Sequence, residues 1–385
     1  MSHGPRRGLK EAELGPRGRK YRRYIHYAMF PAIVWTSRTP VVATTRSCMK
    51  VAMLGPIAWR TPPREYGPWE QVTSLLTEGL VKRGVDVTLF ATADSITHAH
   101  LDSVAPHPYN EDPTMDGRVW EALHVAHALE RSAEFDLVHN HLDWLPLAFG
   151  NLWRAPMITT IHGFSGDVIL PAYEHARSAF VSISDSDRSP RLNYLATVEH
   201  GVDFGAFDLR IDPEGYLVTL GRIHPDKGVA DAIEVARLAG RRLLICGIVQ
   251  DEEYFATRIL PHVDGDRVIF RGSVGPDERS EVLGGATALL HPIHFDEPFG
   301  LAVVEAMACG TPVVAYRRGS MEHLIDEGVT GTVVDSPEKA GEAVAVVAQF
   351  DRAGVRARAQ ERFGVDRMVD KYLDLYERVI ADWPV

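Results

Sequence analysis

Two glutamates, Glu297 and Glu305, flank a segment whose pattern predicts the start of a helix. Pro298 pushes the residue before it out of helical backbone geometry, and the apolar residues after Gly300 follow the period of an α-helix. The N–H groups at a helix start, with the positive end of the helix dipole, favour a bound phosphate. Carboxylates accept hydrogen bonds from hydroxyl groups. The pattern therefore predicts an anion-binding helix start with a hydroxyl-binding carboxylate on each side.

A nucleoside diphosphate sugar has the layout that this segment would bind, because its phosphates lie between two hydroxyl-bearing rings. At about 1.5 Å of rise per residue, Glu305 would lie roughly 7 to 9 Å along the helix axis from the exposed N–H groups. Each glutamate alone has an ordinary explanation: a carboxylate before a helix favours the dipole, and one within a helix usually faces solvent. The interpretation therefore depends on the two glutamates together.

A basic turn follows the predicted strand 216–221 and carries Arg222 and Lys227. Parallel α/β sheets bind ligands beyond the carboxyl ends of their strands, so both side chains are expected at a ligand crevice. The planar fork of arginine and the point charge of lysine together suit a diphosphate. The alternative is a basic turn that contacts only solvent.

Histidines end two predicted strands in the first half of the chain. His162 follows the apolar segment 156–161, where a histidine is more often structural than catalytic. His139 and His141 share one face of a strand, with Asp143 close by in the sequence, which suggests a metal site. Zinc sites need further ligands at suitable spacing, and none is apparent. We therefore predict no metal site here.

The segment EPFGLAVVEAMACGTPVVA, followed by GSMEHLI, resembles the signature of the retaining family 4 glycosyltransferases, which have two glutamates separated by seven residues. The resemblance extends from about Met49 to the C-terminus. It implies an α/β protein of the GT-B fold, in which two Rossmann-like domains face a central cleft and a C-terminal helix crosses back to the first domain. It also implies a nucleotide-sugar donor, such as UDP-glucose or another UDP-sugar. The sugar would move, with retention at the anomeric carbon, to a hydroxyl of a small-molecule, glycan or lipid acceptor.

The resemblance also implies roles for individual residues. Arg222 and Lys227 would bind the donor diphosphate. Glu297 would bind the sugar hydroxyls and Glu305 the ribose, while His162 would contact the transferred sugar. The other residues expected at the donor site on this basis are Gly67, Gly247, Val274, Phe299, Gly300 and Leu301.

Other sequence features leave alternatives open. The loop that carries Trp59, Tyr66 and Trp69 would either stack a sugar or flat ring of the acceptor or fill the edge of the core. A nucleotide-sugar epimerase or hydrolase on the same architecture is an alternative activity, and a degenerate sugar-nucleotide-binding module is an alternative without activity.

The sequence contains no GxGxxG fingerprint and no P-loop motif. We therefore expect no cofactor. We also expect the reaction to be independent of metal, because Arg222, Lys227 and the helix start can balance the charge that a metal ion would neutralise.

Strand and helix patterns alternate along most of the chain, which is typical of doubly wound sheets. We expect an acceptor domain over residues 49–205, a donor domain over 206–365 and a helix over 366–385 that packs on the acceptor domain. The first 48 residues contain ten Lys or Arg against two Glu. We interpret this segment as a disordered extension or as a misassigned start upstream of Met49. Peripheral contact with an anionic membrane is a further possibility for it.

The composition limits the partners and the compartment. A chain of 385 residues is long enough for two hydrophobic cores. The net charge of −11 argues against nucleic acid as a partner. Three scattered cysteines and the absence of a long apolar run suggest a reducing compartment and no membrane span. The predicted location is the cytoplasm.

Overall fold

The structure, a computed structural model, describes residues 48–163 and 166–383. Each half of this part of the chain forms a parallel β-sheet with helices packed on its faces. This arrangement confirms the predicted α/β class. The predicted extension 1–48 lies outside the described residues except for Cys48, and the membrane contact predicted for it lies there too.

The first sheet has a switch point at its centre. Its strands are β1 (Lys50–Leu54), β2 (Asp86–Phe90), β3 (His100–Asp102), β4 (Leu137–Asn140), β5 (Met157–Ile161), β6 (Ala179–Ser182) and β7 (Tyr194–Thr197). They are parallel and lie in the order β3-β2-β1-β4-β5-β6-β7. Its helices are α1 (Pro68–Lys82), α2 (Gly117–Arg131) and α3 (Leu170–Glu174). Because the strand order reverses between β1 and β4, a crevice opens at the carboxyl ends of these strands.

The second sheet repeats this plan. Its strands are β8 (Tyr216–Leu220), β9 (Leu243–Cys246), β10 (Val268–Gly272), β11 (Ala286–His291), β12 (Val313–Tyr316) and β13 (Gly331–Val334), in the parallel order β10-β9-β8-β11-β12-β13. The helices that follow β8 are α4 (Val229–Ala239), α5 (Glu252–Tyr254), α6 (Pro276–Gly285), α7 (Leu301–Ala308), α8 (Met321–Leu324), α9 (Pro337–Val347), α10 (Arg352–Phe363) and α11 (Val365–Asp382). The switch point lies between β8 and β11, so ligand-binding loops are expected after these two strands.

The central strands are apolar because helices cover both faces of each sheet. In β1, Val51 and Met53 pack in one core with α1 and α11, while Ala52 and Leu54 pack in another core with α2. The chain leaves the first sheet at Thr197 and enters the second at Tyr216. The predicted domain boundaries at 205/206 and 365/366 remain predictions.

The last helix, α11, returns to the first sheet. Its buried residues recur every three or four positions and include Val369, Tyr372 and Tyr376. The Tyr372 hydroxyl lies 2.7 Å from Oγ1 of Thr160, and the Tyr376 hydroxyl lies 2.6 Å from Nδ1 of His139. The predicted crossing of a C-terminal helix back to the first domain is therefore confirmed.

A buried carboxyl group holds the loop before α1. Glu70 lies in the first turn of this helix and is only 3% exposed. Its Oε1 accepts a hydrogen bond of 3.1 Å from the backbone N–H of Trp59. Burial raises the pKa of Glu70 to about 7, although the hydrogen bonds it accepts oppose this rise. Glu70 therefore fixes the loop 57–66 while carrying a proton near neutral pH.

We expect the stability of the Glu70→Gln variant, relative to the wild-type protein, to increase as the pH rises. A free glutamate has a pKa near 4.5, whereas folded Glu70 keeps its proton until about pH 7. The contribution of Glu70 is therefore fully present below pH 4.5 and is lost as the pH rises through 7, by about 3 kcal/mol. Glutamine keeps the acceptor for Trp59 but does not ionise. Urea unfolding of both proteins across this range measures the difference; a difference independent of pH would contradict the assignment.

A second prediction concerns the contact between α1 and α11. A Cβ atom at Gly79 would lie 2.4 Å from Cγ2 of Val369, so the glycine permits the helices to pack closely. We expect Gly79→Ala to lower the free energy of unfolding by about 1 to 3 kcal/mol. In the double variant with Val369→Ala the clash is absent, so the combined loss should be smaller than the sum of the two single losses. Urea unfolding of the four proteins tests this, and additive losses would refute it.

Candidate active site

The basic turn after β8 packs directly against the loop after β11. Gly228 ends this turn with a φ angle of 64°, which favours glycine. A Cβ atom there would lie 1.8 Å from the carbonyl oxygen of Pro292. The backbone N–H of His294 also donates to the carbonyl oxygen of Asp226, at 2.8 Å. These contacts bring the Lys227 side chain to the loop that precedes α7.

Lys227 and Glu297 form a mostly buried ion pair. The Lys227 Nζ lies 2.5 Å from Oε2 of Glu297, and the two side chains are 16% and 14% exposed. His291 Nε2 lies 3.7 Å from the same oxygen, which is too long for a hydrogen bond. Burial alone would raise the pKa of Glu297, but His291 and the Lys227 ammonium together lower it to about 2. Glu297 is therefore ionised at neutral pH and can only accept hydrogen bonds.

Arg222 belongs to the same basic turn as Lys227. Its Nη1 donates to the side-chain oxygen of Gln250. Burial raises the pKa of Tyr66, and the nearby positive charge of Arg222 opposes that rise. Tyr66 belongs to the loop before α1, and its ring meets that of Trp59 edge to face, 6.2 Å away. The Arg222 guanidinium therefore lies close to the aromatic loop of the first domain.

Residues at the start of α8 pack against the start of α7. Gly300 has a φ angle of 105°, and a Cβ atom there would lie 2.8 Å from Cε of Met321. Phe299 is 2% exposed, and its carbonyl oxygen accepts a hydrogen bond of 2.5 Å from Ser320 Oγ. The N–H groups of the first helical residues, beginning at Leu301, precede the first helical hydrogen bonds and are available to an anion.

A pocket of about 190 Å³ lies beside this helix start and is lined by both domains. Five of the residues predicted to bind the donor line it: Gly67, Gly247, Val274, Leu301 and Glu305. Glu305 is 7% exposed, and its Oε1 accepts a hydrogen bond of 3.0 Å from Nη1 of Arg279. Arg279, on α6, was not predicted from the sequence.

Two of the remaining predicted residues lie beside this pocket. Arg222 and Lys227 line a small depression that shares Leu220 and Gly221 with the pocket. Phe299 and Gly300 lie behind the start of α7 and not on the pocket surface. The depression with the predicted diphosphate residues therefore adjoins the pocket that contains Glu305, the predicted ribose residue. The individual roles of these residues remain predictions.

His162 belongs to a buried row of histidines. Its Nε2 lies 2.8 Å from Nδ1 of His141, and its Nδ1 lies 3.3 Å from Nε2 of His200. The Trp69 ring stacks on His162 at 5.2 Å. Both ring nitrogens of His162 therefore already have protein partners, which the sequence did not reveal. The role of its side chain at the sugar remains a prediction under this constraint.

Burial keeps the histidine row neutral. It lowers the pKa of His141 and His162 well below the usual value and that of His200 to about 3. Nε2 of His141 is buried and has no hydrogen-bond partner among the described residues. An unpaired lone pair there costs less than an unpaired N–H. This favours His141 as donor to His162, and His162 as donor to His200.

The end of β5 touches the loop that carries Glu297. A Cβ atom at Gly163 would lie 2.9 Å from Cγ of Pro298, so the two domains meet at this glycine. His162, immediately before Gly163, is thereby placed beside the residue that follows Glu297. The contact brings the predicted sugar-binding residues of the two domains close together.

The structure also bears on the metal question. Among residues 48–163 and 166–383, no group of three or more His, Cys, Asp or Glu side chains is arranged to hold a metal ion. His139, considered as a zinc ligand from the sequence, instead contacts Tyr376 and Thr160. None of the helices in the described ranges combines the length and apolar character needed to cross a bilayer.

Two family models match the chain. The model for glycosyltransferase family 4 matches residues 69–195, and the model for group 1 glycosyl transferases matches residues 206–360. Among relatives, glycogen synthase of Mycobacterium tuberculosis is 28% identical over 367 residues, which cover 79% of this chain and 88% of the relative. D-inositol 3-phosphate glycosyltransferase of Mycolicibacterium gilvum is 28% identical over 373 residues, which cover 79% and 83%.

Solved structures give the same fold. AviGT4, a glycosyltransferase involved in avilamycin A biosynthesis, superposes with a TM-score of 0.69 at 24% identity, covering 87% of this chain and 99% of its own. Anabaena HepE in complex with UDP and glucose superposes with a TM-score of 0.66 at 18% identity, covering 86% and 99%. The predicted fold and the predicted resemblance are therefore confirmed: the chain has the GT-B fold, with a family 4 glycosyltransferase domain over residues 69–195 and a group 1 glycosyltransferase domain over residues 206–360.

Proposed function

We propose that this glycosyltransferase transfers a sugar from a UDP-sugar, such as UDP-glucose, to an acceptor hydroxyl with retention at the anomeric carbon. The proposal depends on the ion pair of Lys227 and Glu297 beside the start of α7. This pair lies next to the pocket that contains Glu305. The structures of Anabaena HepE with UDP and with UDP-glucose support a uridine donor.

The donor diphosphate would lie between the basic turn and the start of α7. Arg222, Lys227 and the first N–H groups of α7 would stabilise the negative charge that grows on the leaving diphosphate. Two cations and a helix start supply positive charge of the kind that a metal ion would otherwise provide. We therefore propose a reaction that needs no metal.

The two glutamates would hold the rings at the ends of the donor. Ionised Glu297 would accept hydrogen bonds from the sugar hydroxyls, and Glu305 would accept them from the ribose. His162, with both ring nitrogens engaged, would act by fixing the end of β5 beside the sugar. Its neighbour Gly163 already contacts the residue after Glu297.

The transfer itself breaks the bond between the anomeric carbon and a diphosphate oxygen and forms a bond from that carbon to the acceptor oxygen. The acceptor hydroxyl loses its proton, which the leaving phosphate would take up. Water competes as an acceptor, so contact between the two domains over the donor would favour transfer by excluding it.

The acceptor would bind on the first-domain side of the cleft. Trp59, Tyr66 and Trp69 are half-buried there, and Trp69 lies against His162. Half-buried aromatic rings suit a sugar or another flat, hydroxyl-bearing group. Small molecules, glycans and lipids all carry such groups. The cytoplasmic location and the absence of a nucleic-acid partner remain predictions from composition.

One experiment separates the candidate activities. Purified protein is incubated with labelled UDP-glucose, with and without a fractionated extract as the source of acceptor. A transferase gives a labelled product larger than glucose only when an acceptor is present, whereas a hydrolase or epimerase converts the donor without one. Calorimetric titration with UDP, GDP and ADP identifies the base. Binding of none of these, together with no conversion of the donor, would refute the proposed function.

We expect Lys227→Ala and Glu297→Ala to reduce transfer by about 10²-fold or more, because each removes a charged group aimed at the reacting sugar phosphate. Each single variant also leaves a buried charge without its partner, which destabilises the fold. The double variant removes both charges and should stay folded, as circular dichroism would show, yet remain inactive. Arg237→Ala, which breaks the exposed pair with Glu234 on α4, is the control with normal activity. Transfer by the folded double variant would overturn the assignment.

A further inference from the structure

Arg279 connects the two domains at the donor pocket. Its Nη1 donates to Oε1 of Glu305 on α7, and its Nη2 donates to the backbone carbonyl oxygen of Glu65, each at 3.0 Å. Glu65 lies in the first-domain loop before α1, whereas Arg279 and Glu305 both belong to the second domain. The Arg279 side chain is 20% exposed. One guanidinium therefore bridges the predicted ribose-binding carboxylate and the opposite wall of the cleft.

The loop that receives this hydrogen bond forms part of the pocket wall. Pro63, Glu65, Tyr66 and Gly67 line the same pocket as Arg279 and Glu305. The loop also approaches the residue before α6, since a Cβ atom at Gly275 would lie 3.8 Å from the Arg64 carbonyl oxygen. The first-domain loop thus covers the pocket where Arg279 donates a hydrogen bond to that loop.

One donor of Arg279 has no partner in the described part of the chain. Its Nε is buried and has no hydrogen-bond partner among the residues that the structure describes. A buried N–H without a partner costs free energy, and arginine presents its donors in a fixed fork. The bonds from Nη1 and Nη2 therefore determine the orientation of the guanidinium.

We propose that Arg279 is a positioning residue for the donor, which orients Glu305 toward the ribose and makes the cover formed by the loop 63–67 part of donor binding. The inference rests on the proposed function and adds to it a residue that couples donor binding to exclusion of water. The bond to Glu305 keeps a buried carboxylate paired and directed. The bond to the Glu65 carbonyl keeps the first-domain wall over the donor pocket.

The alternative is an ion pair that only stabilises the fold. Such a pair predicts that Arg279 variants lose thermal stability while nucleotide binding and the fate of the donor stay unchanged. The two hypotheses therefore differ in two measurements: the dissociation constant of UDP, and the fraction of UDP-glucose that is hydrolysed instead of transferred. Neither measurement should respond to a purely structural role.

The test compares Arg279→Gln, Arg279→Lys and a matched control with the wild-type protein. Glutamine lacks the charge and the fork, so we expect UDP to bind about tenfold more weakly in calorimetry and the hydrolysed fraction to rise. Lysine keeps a charge for Glu305 but cannot reach both partners, so UDP binding should recover more than the hydrolysed fraction does. Arg271→Gln removes an exposed arginine of β10 whose Nη2 lies 4.0 Å from Oε1 of Glu278 on α6, and it should match the wild type.

The possible results distinguish failure of the role of Arg279 from failure of the proposed function. If the wild type binds UDP and Arg279→Gln binds it equally well with no added hydrolysis, the role of Arg279 is refuted while the proposed function stands. If Arg271→Gln changes binding as much as Arg279→Gln does, the effect is one of general charge and the role of Arg279 is again refuted. If the wild type binds no nucleoside diphosphate, the proposed function itself fails.

Discussion

The ion pair between Lys227 and Glu297 is the interaction on which the site depends. It joins the turn after β8 to the loop after β11, the two segments that leave the switch point of the second sheet. Glycines make the approach possible: Gly228 packs against a carbonyl oxygen, and a Cβ atom at Gly319 would lie 2.3 Å from the Glu297 carbonyl oxygen. Because both charges are mostly buried, their attraction is screened less than that of a surface pair, and each requires the other.

The first domain supplies a buried, neutral row of histidines. The row of His141, His162 and His200 is buried, and an added proton would place a charge where water cannot stabilise it. Hydrogen bonds between the imidazole rings also fix the orientation of His162, on which Trp69 stacks. The helix α11 contributes to the same region through Tyr376, which contacts His139 next to the row. The returning helix thus supports the wall of the cleft as well as the core.

The sequence predicted those parts of the site that depend on neighbouring residues. Glu297 and Glu305 belong to one loop and one helix, so their spacing determines their relation, and parallel strands place Lys227 at the same sheet edge. Arg279 and the partners of His162 could not be found in this way. The bond from Arg279 to Glu305 depends on how α6 packs against α7, and the histidine row joins three separate chain segments. Such contacts are set by tertiary packing, for which the local pattern carries no signal.

These contacts also explain how the proposed diphosphate site is compatible with a net charge of −11. In the structure Lys227 is paired with Glu297 and Arg279 with Glu305, so neither cation is buried without compensation. Arg222 instead contacts the neutral side chain of Gln250, so its charge is not cancelled by that partner. A diphosphate bound as proposed would meet the uncompensated positive charge of Arg222 and of the α7 start, and would share Lys227 with Glu297. Binding then redistributes existing hydrogen bonds, which requires less rearrangement than assembling the cations around the ligand.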